Sequence, residues 1–207
     1  MFLVICVVTD ESEHLRWLEA APRDFDLLLV YCIRGNREEE FKQSCEYFLK
    51  SDGKFKLDNI ALALEVYKSV LGNYVAIWLP DDDIRTDTST INTLFKKFHS
   101  SSYSLAQPSI CWSRGQVNHE IFVQRKEYIL RETTFVEMMA PIFKTEVLLS
   151  APILNSLTAT RSGWGCDLIW SKVLNHSHMA IFDELVVVHK PNRTTKRDGN
   201  KYYNSRI

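Results

Sequence analysis

The sequence predicts an α/β domain built on a mostly parallel, mixed central sheet. In the first hundred or so residues, short apolar runs alternate with helical patterns, which is the order expected of parallel βαβ units. The run from Tyr74 to Leu79 is unbroken and includes β-branched and aromatic residues, as in a strand buried on both faces. Beyond residue 101 the signals are less regular, which predicts an α+β second half that continues the same sheet.

The first half contains three predicted strands and four predicted helices. The strands cover residues 2–8, 26–31 and 74–79, and the helices cover 14–20, 38–49, 57–71 and a stretch beginning at Asp87 or Thr88. The helix at 57–71 has the clearest pattern, because apolar residues recur at helical spacing and Gly72 follows the last of them. The helix at 38–49 is predicted from Phe41, Cys45 and Phe48, which would share one face.

The second half is predicted to mix strands and helices. The strand-like segments are 104–111, 119–124, 129–144 and 181–189, and the helical segments are 146–157 and 166–174. The segment 191–207 is polar and basic, so we expect a flexible tail. Because it ends abruptly, we expect the chain to be one module of a longer protein.

Composition limits the classes of function. A chain of 207 residues with 45% hydrophobic and 25% charged residues suits a single globular domain. A formal net charge of −1 argues against nucleic-acid binding. The five scattered cysteines and the lack of a signal peptide or membrane-length apolar stretch predict reduced thiols and a cytoplasmic location.

Three carboxylates, Asp81, Asp82 and Asp83, follow the strand at 74–79 directly after Pro80. In open α/β sheets, ligands bind outside the carboxyl ends of the strands. Adjacent carboxylates repel one another, and a shared divalent cation with oxygen ligands would relieve that repulsion. The sequence therefore suggests a metal site that also holds a nucleotide diphosphate, with a solvated turn as the alternative.

Further candidate residues leave the strands and helices of the first half. Thr9 and Asp10 follow the first strand and would seat a base and ribose, or would only cap a helix. Lys54, Lys56 and Asn59 lie at the start of the long helix, where cations and an amide suit a phosphate. A solvated loop is the alternative for these three residues.

The second half offers an imidazole, two carboxylates and an indole. His189 follows the last strand, and a carboxylate pair with one imidazole suits manganese, although a histidine there can be structural. Asp167 would be a general base or would only complement a helix dipole, and the nearby Trp164 would stack on a sugar. Glu137 lies in an apolar segment, where a carboxylate needs a partner or a function.

Taken together and in this order, these residues resemble the GT-A glycosyltransferases, which carry an Asp-x-Asp motif after an internal strand. They are similar in particular to a domain-of-unknown-function family, frequent in plants, whose Leu-Trp-Asp-Glu-Asp-Leu motif corresponds to residues 78–84 here. Later blocks of that family match residues 106–110, 135–143, 163–167 and 186–189. The chain also resembles the N-terminal domain of a chlorovirus glycosyltransferase that decorates the capsid, which would place it in the host cytoplasm.

The resemblance implies a GT-A fold over 1–207, with a Rossmann-like nucleotide-binding half at 1–100 and an acceptor half at 101–190. It implies a UDP-sugar donor whose diphosphate is bridged by Mn²⁺ or Mg²⁺. A hexose or deoxyhexose of glucose or rhamnose type would pass, with inversion, to a hydroxyl of a glycan or glycoprotein acceptor. A carbohydrate-binding or nucleotide-sugar-binding domain without turnover is the alternative.

The resemblance also implies residue roles. Asp83 and His189 would ligate the metal, Asp81 would reach the ribose or the metal through water, Thr9 and Asp10 would bind the uridine, and Asp167 would be the base. Combined with the residues considered above, this predicts a metal site of Asp81, Asp83 and His189, with Glu137 and Trp164 orienting sugar. The predicted nucleotide-sugar contacts are Thr9, Asp10, Lys54, Lys56, Asn59, Asp81 and Asp82. Pro80 departs from the plant-type family, which has tryptophan there. A phosphatase with an aspartyl nucleophile is disfavoured, because its motif needs Thr or Val where this chain has Arg85.

Overall fold

The computed structural model describes residues 1–19, 22–32, 35–159 and 163–190 of the chain. The predicted basic tail lies outside the described residues, as do the end of the first predicted helix and the start of the turn before Gly163.

The first half alternates strands with helices. Its elements are β1 (Phe2–Val8), a 3-10 helix (His14–Leu18), β2 (Asp26–Cys32), α1 (Glu38–Lys42), β3 (Tyr47–Ser51), α2 (Lys56–Val66), α3 (Lys68–Leu71), β4 (Ala76–Trp78), β5 (Ile84–Arg85) and α4 (Thr88–Ser100). The side chain of Asp87 caps α4 by accepting a hydrogen bond from the Thr90 main-chain N–H.

The second half has shorter elements joined by longer irregular segments. They are β6 (Leu105–Ile110), a 3-10 helix (Glu120–Phe122), β7 (Leu130–Thr133), β8 (Ile142–Lys144), α5 (Thr145–Leu148), α6 (Ala151–Ala159), α7 (Cys166–Val173) and β9 (Met179–His189). β9 is by far the longest of these strands, and it carries the last apolar run of the sequence.

Among the described residues, nine strands form one sheet in the order β3-β2-β1-β4-β8-β6-β9-β5, with β7 also pairing with β9. The first four strands in this order pair in parallel. β8 is antiparallel to both β4 and β6, and β6 is parallel to β9. Since β1, β4, β6 and β9 therefore run in the same direction, their carboxyl ends lie at the same edge of the sheet. This arrangement confirms the predicted α/β class and the continuous mixed sheet.

The hydrophobic core lies on both faces of the sheet. On one face Trp17, Trp78 and Phe95 are fully buried together, under the first 3-10 helix and α4. On the other face Ile60, Phe143 and Trp170 are fully buried, under α2, α6 and α7. The two layers fix the sheet between helices, so the residues at its carboxyl edge are held on a rigid support.

Several predicted element boundaries were wrong. The predicted helix at 38–49 ends at Lys42, and Tyr47–Ser51 instead pairs with β2 as an edge strand. The helix at 57–71 is interrupted at Tyr67, and the helix at 146–157 is divided between α5 and α6. The predicted strand at 119–124 is a 3-10 helix, and only the two ends of the predicted strand at 129–144 pair in the sheet.

Two other features bear on the expectations from the sequence. Within the described ranges, no helix combines the length and apolar character needed to cross a membrane. Cys6 and Cys166 are buried thiols, and Cys45 and Cys111 are partly exposed thiols.

Candidate functional site at the carboxyl edge of the sheet

The three aspartates lie on the turn that joins β4 to β5. The chain leaves β4 in an extended path, because the Asp81 main-chain N–H donates to Met139 O at 2.7 Å. β5 then pairs with β9, in a register that places Ile84 opposite His189. The Lys190 N–H donates to Asp83 O at 3.1 Å and closes the turn. The end of β9 and the aspartate turn are thus fixed to each other through the main chain.

Asp81, Asp83 and His189 form a cluster with the geometry of a metal site. One ligand atom from each residue lies within 4.8 Å of the others. His189 Nε2 lies 3.3 Å from Asp83 Oδ1, and both side chains are largely shielded from solvent. The structure therefore brings together the three residues that the resemblance implied for the metal.

The electrostatics of this cluster suit a cation. Burial acts to lower the pKa of His189, but the neighbouring carboxylates of Asp83, Asp81 and Glu137 outweigh it, so the pKa is raised. Within the described part of the chain, Asp83 Oδ1 and His189 Nδ1 are buried without a hydrogen-bond partner. Buried polar atoms are normally satisfied, and two carboxylates with an imidazole are hard and borderline ligands. The residues present fit a divalent ion such as Mn²⁺ or Mg²⁺.

Asp82, the middle carboxylate, points elsewhere. Its Oδ2 accepts hydrogen bonds from Thr9 N at 3.0 Å and Thr9 Oγ1 at 2.8 Å. Burial, together with the charges of Asp83 and Asp81, raises the pKa of Asp82 despite these bonds. Thr9 and the aspartate turn therefore meet at the carboxyl edge, as expected for parallel strands.

Asp10 lies at the same edge but binds the loop after β2. Its carboxylate accepts from Tyr31 Oη at 2.6 Å and Asn36 N at 2.7 Å, and these bonds lower its pKa. A Cβ at Gly35 would lie 2.2 Å from both Asp10 Oδ1 and Tyr31 Oη, so a larger residue there would have to displace these side chains. Both oxygens of Asp10 contribute to holding this loop, whose other end carries Arg37.

Lys56 is held more firmly than a phosphate-binding lysine needs to be. Its Nζ donates to Asp81 Oδ1 at 2.6 Å, to Met138 O at 2.7 Å and to Leu79 O at 2.8 Å. Met139 O lies farther away at 3.4 Å, so all three N–H groups of the ammonium have acceptors. Lys56 therefore joins the start of α2 to the aspartate turn and partly neutralises Asp81.

The other two residues predicted near the long helix differ in exposure. Lys54 is exposed on the loop before α2. Asn59 is buried, and its Nδ2 donates to Phe55 O at 2.9 Å and Gly53 O at 3.2 Å, so its side chain holds that loop.

Glu137 precedes β8 and lies at the same edge of the sheet. It is only 7% exposed, and burial raises its pKa. Asn118 Nδ2 donates to Glu137 Oε1 at 2.7 Å, and the Glu137 N–H donates to Gln107 Oε1 at 2.9 Å. Among the described residues Glu137 Oε2 has no hydrogen-bond partner. One oxygen of this buried carboxylate is therefore satisfied and the other is not.

Asp167 and Trp164 lie on the turn into α7. Gly163 and Gly165 have φ of 77° and 82°, which favours glycine at both positions. Asp167 is half-buried in the first turn of α7, and burial raises its pKa, although its carboxylate accepts from the Leu168 and Met138 main chain. The Trp164 side chain is 86% exposed. A proton-accepting group and an exposed aromatic surface thus share one short turn.

Sequence reasoning missed Glu13. This carboxylate is 8% exposed and accepts from Arg16 Nε at 2.8 Å, Lys190 Nζ at 3.0 Å and Arg85 Nη2 at 3.1 Å. The Glu13 N–H also donates to Asp82 O at 2.7 Å. Glu13 therefore ties the loop after β1 to the aspartate turn, and no short motif in the sequence signals this.

Comparison with solved structures identifies the fold. TarS residues 1–349 from S. aureus match with a TM-score of 0.64 at 11% identity, over 91% of this chain and 60% of that chain. The same fragment in complex with UDP gives a TM-score of 0.62 at 12% identity, over 92% and 60%. In complex with UDP-GlcNAc it gives 0.57 at 12% identity, over 93% and 58%. The protein has a fold of the GT-A type and spans about three-fifths of the length of the TarS fragment.

No protein-family model matches the sequence, and no curated protein matches it in sequence. The resemblances to the plant-type family and to a chlorovirus enzyme, and the division into two functional halves, stay predictions.

Proposed function

We propose that this protein is a metal-dependent glycosyltransferase that uses a UDP-sugar donor. The observation that carries the proposal is the cluster of Asp81, Asp83 and His189 at the carboxyl edge of a GT-A-type sheet. Two of the similar TarS structures contain UDP and UDP-GlcNAc, which supports a nucleotide-sugar donor for this fold. A glucose- or rhamnose-type sugar and a glycan or glycoprotein acceptor are the specific substrates we propose.

The donor side is formed by the ends of β1, β4 and β9. Asp81, Asp83 and His189 would hold Mn²⁺ or Mg²⁺, which when bound neutralises charge on a leaving diphosphate. Lys56 and Glu13 keep the aspartate turn in one conformation, so the ligand atoms need little reorganisation. Thr9, Asp10, Asp82, Lys54 and Asn59 are proposed to contact the nucleotide sugar or to shape the loops that do.

The acceptor side centres on Asp167. Burial raises the pKa of this carboxyl, and a carboxylate with a raised pKa is a stronger base. As the acceptor oxygen bonds to the anomeric carbon, the bond to the diphosphate oxygen breaks and its electron pair leaves with UDP. The proton of the acceptor hydroxyl passes to Asp167. Attack from the face opposite the leaving group inverts the anomeric centre. Trp164 and Glu137 are proposed to orient sugar.

Thermal unfolding with nucleotides tests the donor site. UDP and Mn²⁺ together, at about a hundred times the dissociation constant, should add about 2.7 kcal/mol of stability. Neither alone should match this shift, and Asp83→Ala should remove it. Asp24→Ala is a matched control, because Asp24 is an exposed acid before β2, at the opposite end of the strand from the site. A wild-type protein that shows no shift with any nucleoside diphosphate and metal would overturn the proposal.

Turnover separates an enzyme from a binding domain. The wild-type protein should release UDP from a UDP-sugar in a metal-dependent reaction. Asp167→Asn should keep donor binding but lose about a hundredfold or more in turnover, as expected for a general base. Donor binding without any release of UDP, across a panel of UDP-sugars and acceptors, would instead support a nucleotide-sugar-binding domain.

A further inference from the structure

Besides Asp83 Oδ1, two more buried polar atoms at the carboxyl edge lack a hydrogen-bond partner among the described residues. Within the part of the chain that the structure describes, neither His189 Nδ1 nor Glu137 Oε2 has a hydrogen-bond partner. Both residues are more than nine-tenths buried. An unsatisfied buried donor or acceptor destabilises the fold, so its presence in this region needs an explanation.

The chemistry of the two atoms is complementary. His189 Nε2 faces Asp83, so Nε2 is the nitrogen available to a cation. A neutral imidazole that ligates through Nε2 carries its proton on Nδ1, and that N–H needs an acceptor. Metal-ligating histidines usually donate this second N–H to a carboxylate, a carbonyl or a water. Glu137 Oε2 is a carboxylate oxygen that lacks a donor.

The fold places the two side chains at the same edge of the sheet. His189 ends β9, and Glu137 lies on the segment that enters β8 at the edge where β9 ends. The charge of Glu137 is among those that raise the pKa of His189, so the two groups are close enough to interact electrostatically.

Glu137 is held in place independently of His189. Asn118 and Gln107 bind its side chain and main chain. The two residues that follow it are connected to Asp81. Met139 O accepts from the Asp81 N–H, and Met138 O accepts from Lys56, which also donates to the Asp81 carboxylate. Glu137 therefore has a fixed position relative to Asp81, as a supporting residue requires.

We propose that Glu137 is a positioning residue for the metal site, whose Oε2 accepts a hydrogen bond from one water that in turn accepts the hydrogen bond of His189 Nδ1–H. This contact would satisfy both atoms and direct Nε2 of His189 toward Asp83. The inference rests on the proposed function, since it assumes that a cation binds there. This positioning role is additional to the sugar-orienting role proposed for Glu137, and it does not require a bound sugar.

Binding of Mn²⁺ alone tests this inference without turnover. We would measure free Mn²⁺ by electron paramagnetic resonance, in the full chain without nucleotide, for wild type, Glu137→Met and Glu137→Gln. Loss of a supporting partner typically weakens metal binding by about 10–100-fold, which is the expected effect of Glu137→Met. Glu137→Gln keeps an acceptor, so its Mn²⁺ affinity should stay within about threefold of wild type. The remaining loss is expected because neutral hydrogen bonds are weaker than charge-assisted ones. The unfolding temperature of each metal-free variant shows whether it folds.

The controls separate the possible outcomes. Asp24→Asn changes an exposed carboxylate at the opposite end of the strand from the site and should leave Mn²⁺ affinity unchanged. If wild type binds Mn²⁺ and a folded Glu137→Met binds it equally well, the positioning role is wrong while the proposed function stands. If Met and Gln variants lose affinity equally, acceptor chemistry is not the cause, and the inference also fails. If wild type binds neither Mn²⁺ nor UDP, the proposed function itself fails.

Discussion

Two buried acidic sites of this protein differ in how completely they are satisfied. Asp183, in the middle of β9, is fully buried and receives hydrogen bonds from Arg131 Nε at 2.6 Å, Arg131 Nη2 at 3.0 Å and Arg125 N at 2.8 Å. At the end of the same strand, His189 and the Asp83 carboxylate beside it each leave a buried atom without a partner among the described residues. We call the fully hydrogen-bonded pair of Asp183 and Arg131 the closed site. We call the partly unsatisfied cluster of Asp81, Asp83 and His189 the open site.

The difference indicates what each site is for. A buried carboxylate with a bidentate arginine and a main-chain donor has its hydrogen-bonding capacity largely filled, so its role is to stabilise the folded structure. In the second site two neighbouring carboxylates repel each other and buried atoms are unsatisfied, so a bound cation would make the cluster more favourable. We therefore expect substitutions at Asp183 to affect folding, and substitutions at Asp83 to affect ligand binding.

The largest effect is expected at Asp183. Asp183→Leu should lower the free energy of unfolding by about 3–5 kcal/mol, because it leaves the buried Arg131 guanidinium without its partner. Urea unfolding monitored by circular dichroism measures this change. The double variant Asp183→Leu with Arg131→Leu should recover part of the loss, since no unpaired charge remains. If Asp183→Leu were as stable as wild type, the closed site would not support the fold.

His14 is a second buried ionisable group, and its burial should make the free energy of unfolding depend on pH. This histidine is fully buried in the 3-10 helix after β1, with its Nδ1 2.8 Å from Ser12 Oγ. Burial, aided by the charge of Arg37 and opposed by Glu40, lowers its pKa from 6.5 to about 4. The unfolded chain therefore binds a proton more readily than the folded protein at pH values between these two.

The resulting pH dependence has a definite sign. The contribution of His14 is complete above about pH 6.5 and is lost as the pH falls toward 4. By pH 5 the loss should be about 2 kcal/mol. Comparing unfolding free energies at pH 7 and pH 5 for wild type and His14→Gln isolates this term. An equal loss in both proteins would show that other groups cause the acid sensitivity.

The sequence predicted the central parallel strands β1, β2 and β4 better than the edge strand β3. β1, β2 and β4 are apolar runs whose burial on both faces is evident in the residues themselves. β3 was mistaken for part of a helix, because Phe41, Cys45 and Phe48 recur at helical spacing. Its strand conformation depends on long-range pairing with Leu28 and Leu29, which a local pattern does not contain.

The candidate site was predictable to the extent that strand ends meet at one edge. The Asp81, Asp83 and His189 cluster follows from the direction of β4 and β9. The tie between Lys56 and Met138 joins residues 82 apart in sequence, and Asn118 reaches Glu137 from an irregular loop. Such supporting contacts leave no periodic signal, because they depend on how loops are placed after the strands have paired.

The smallest expected effect is the sharpest test of the open site. Asp83→Asn should change the stability of the metal-free protein by no more than about 1 kcal/mol, because relief of the repulsion from the neighbouring carboxylates offsets the loss of the contact with His189. Its matched control is Asp82→Asn, which removes the same charge from a carboxylate that accepts two bonds from Thr9. Asp82→Asn should be less stable than Asp83→Asn. It relieves a similar repulsion but also weakens the two charge-assisted hydrogen bonds from Thr9.

Both variants should be unfolded in urea without metal, at low and at high salt. Any stabilisation by Asp83→Asn should shrink in high salt, because ions screen the repulsion between partly exposed charges. A loss of several kcal/mol in Asp83→Asn would mean that Asp83, like Asp183, belongs to a closed and structural site. The same variant should bind Mn²⁺ at least tenfold more weakly than Asp82→Asn, since only Asp83 belongs to the ligand cluster.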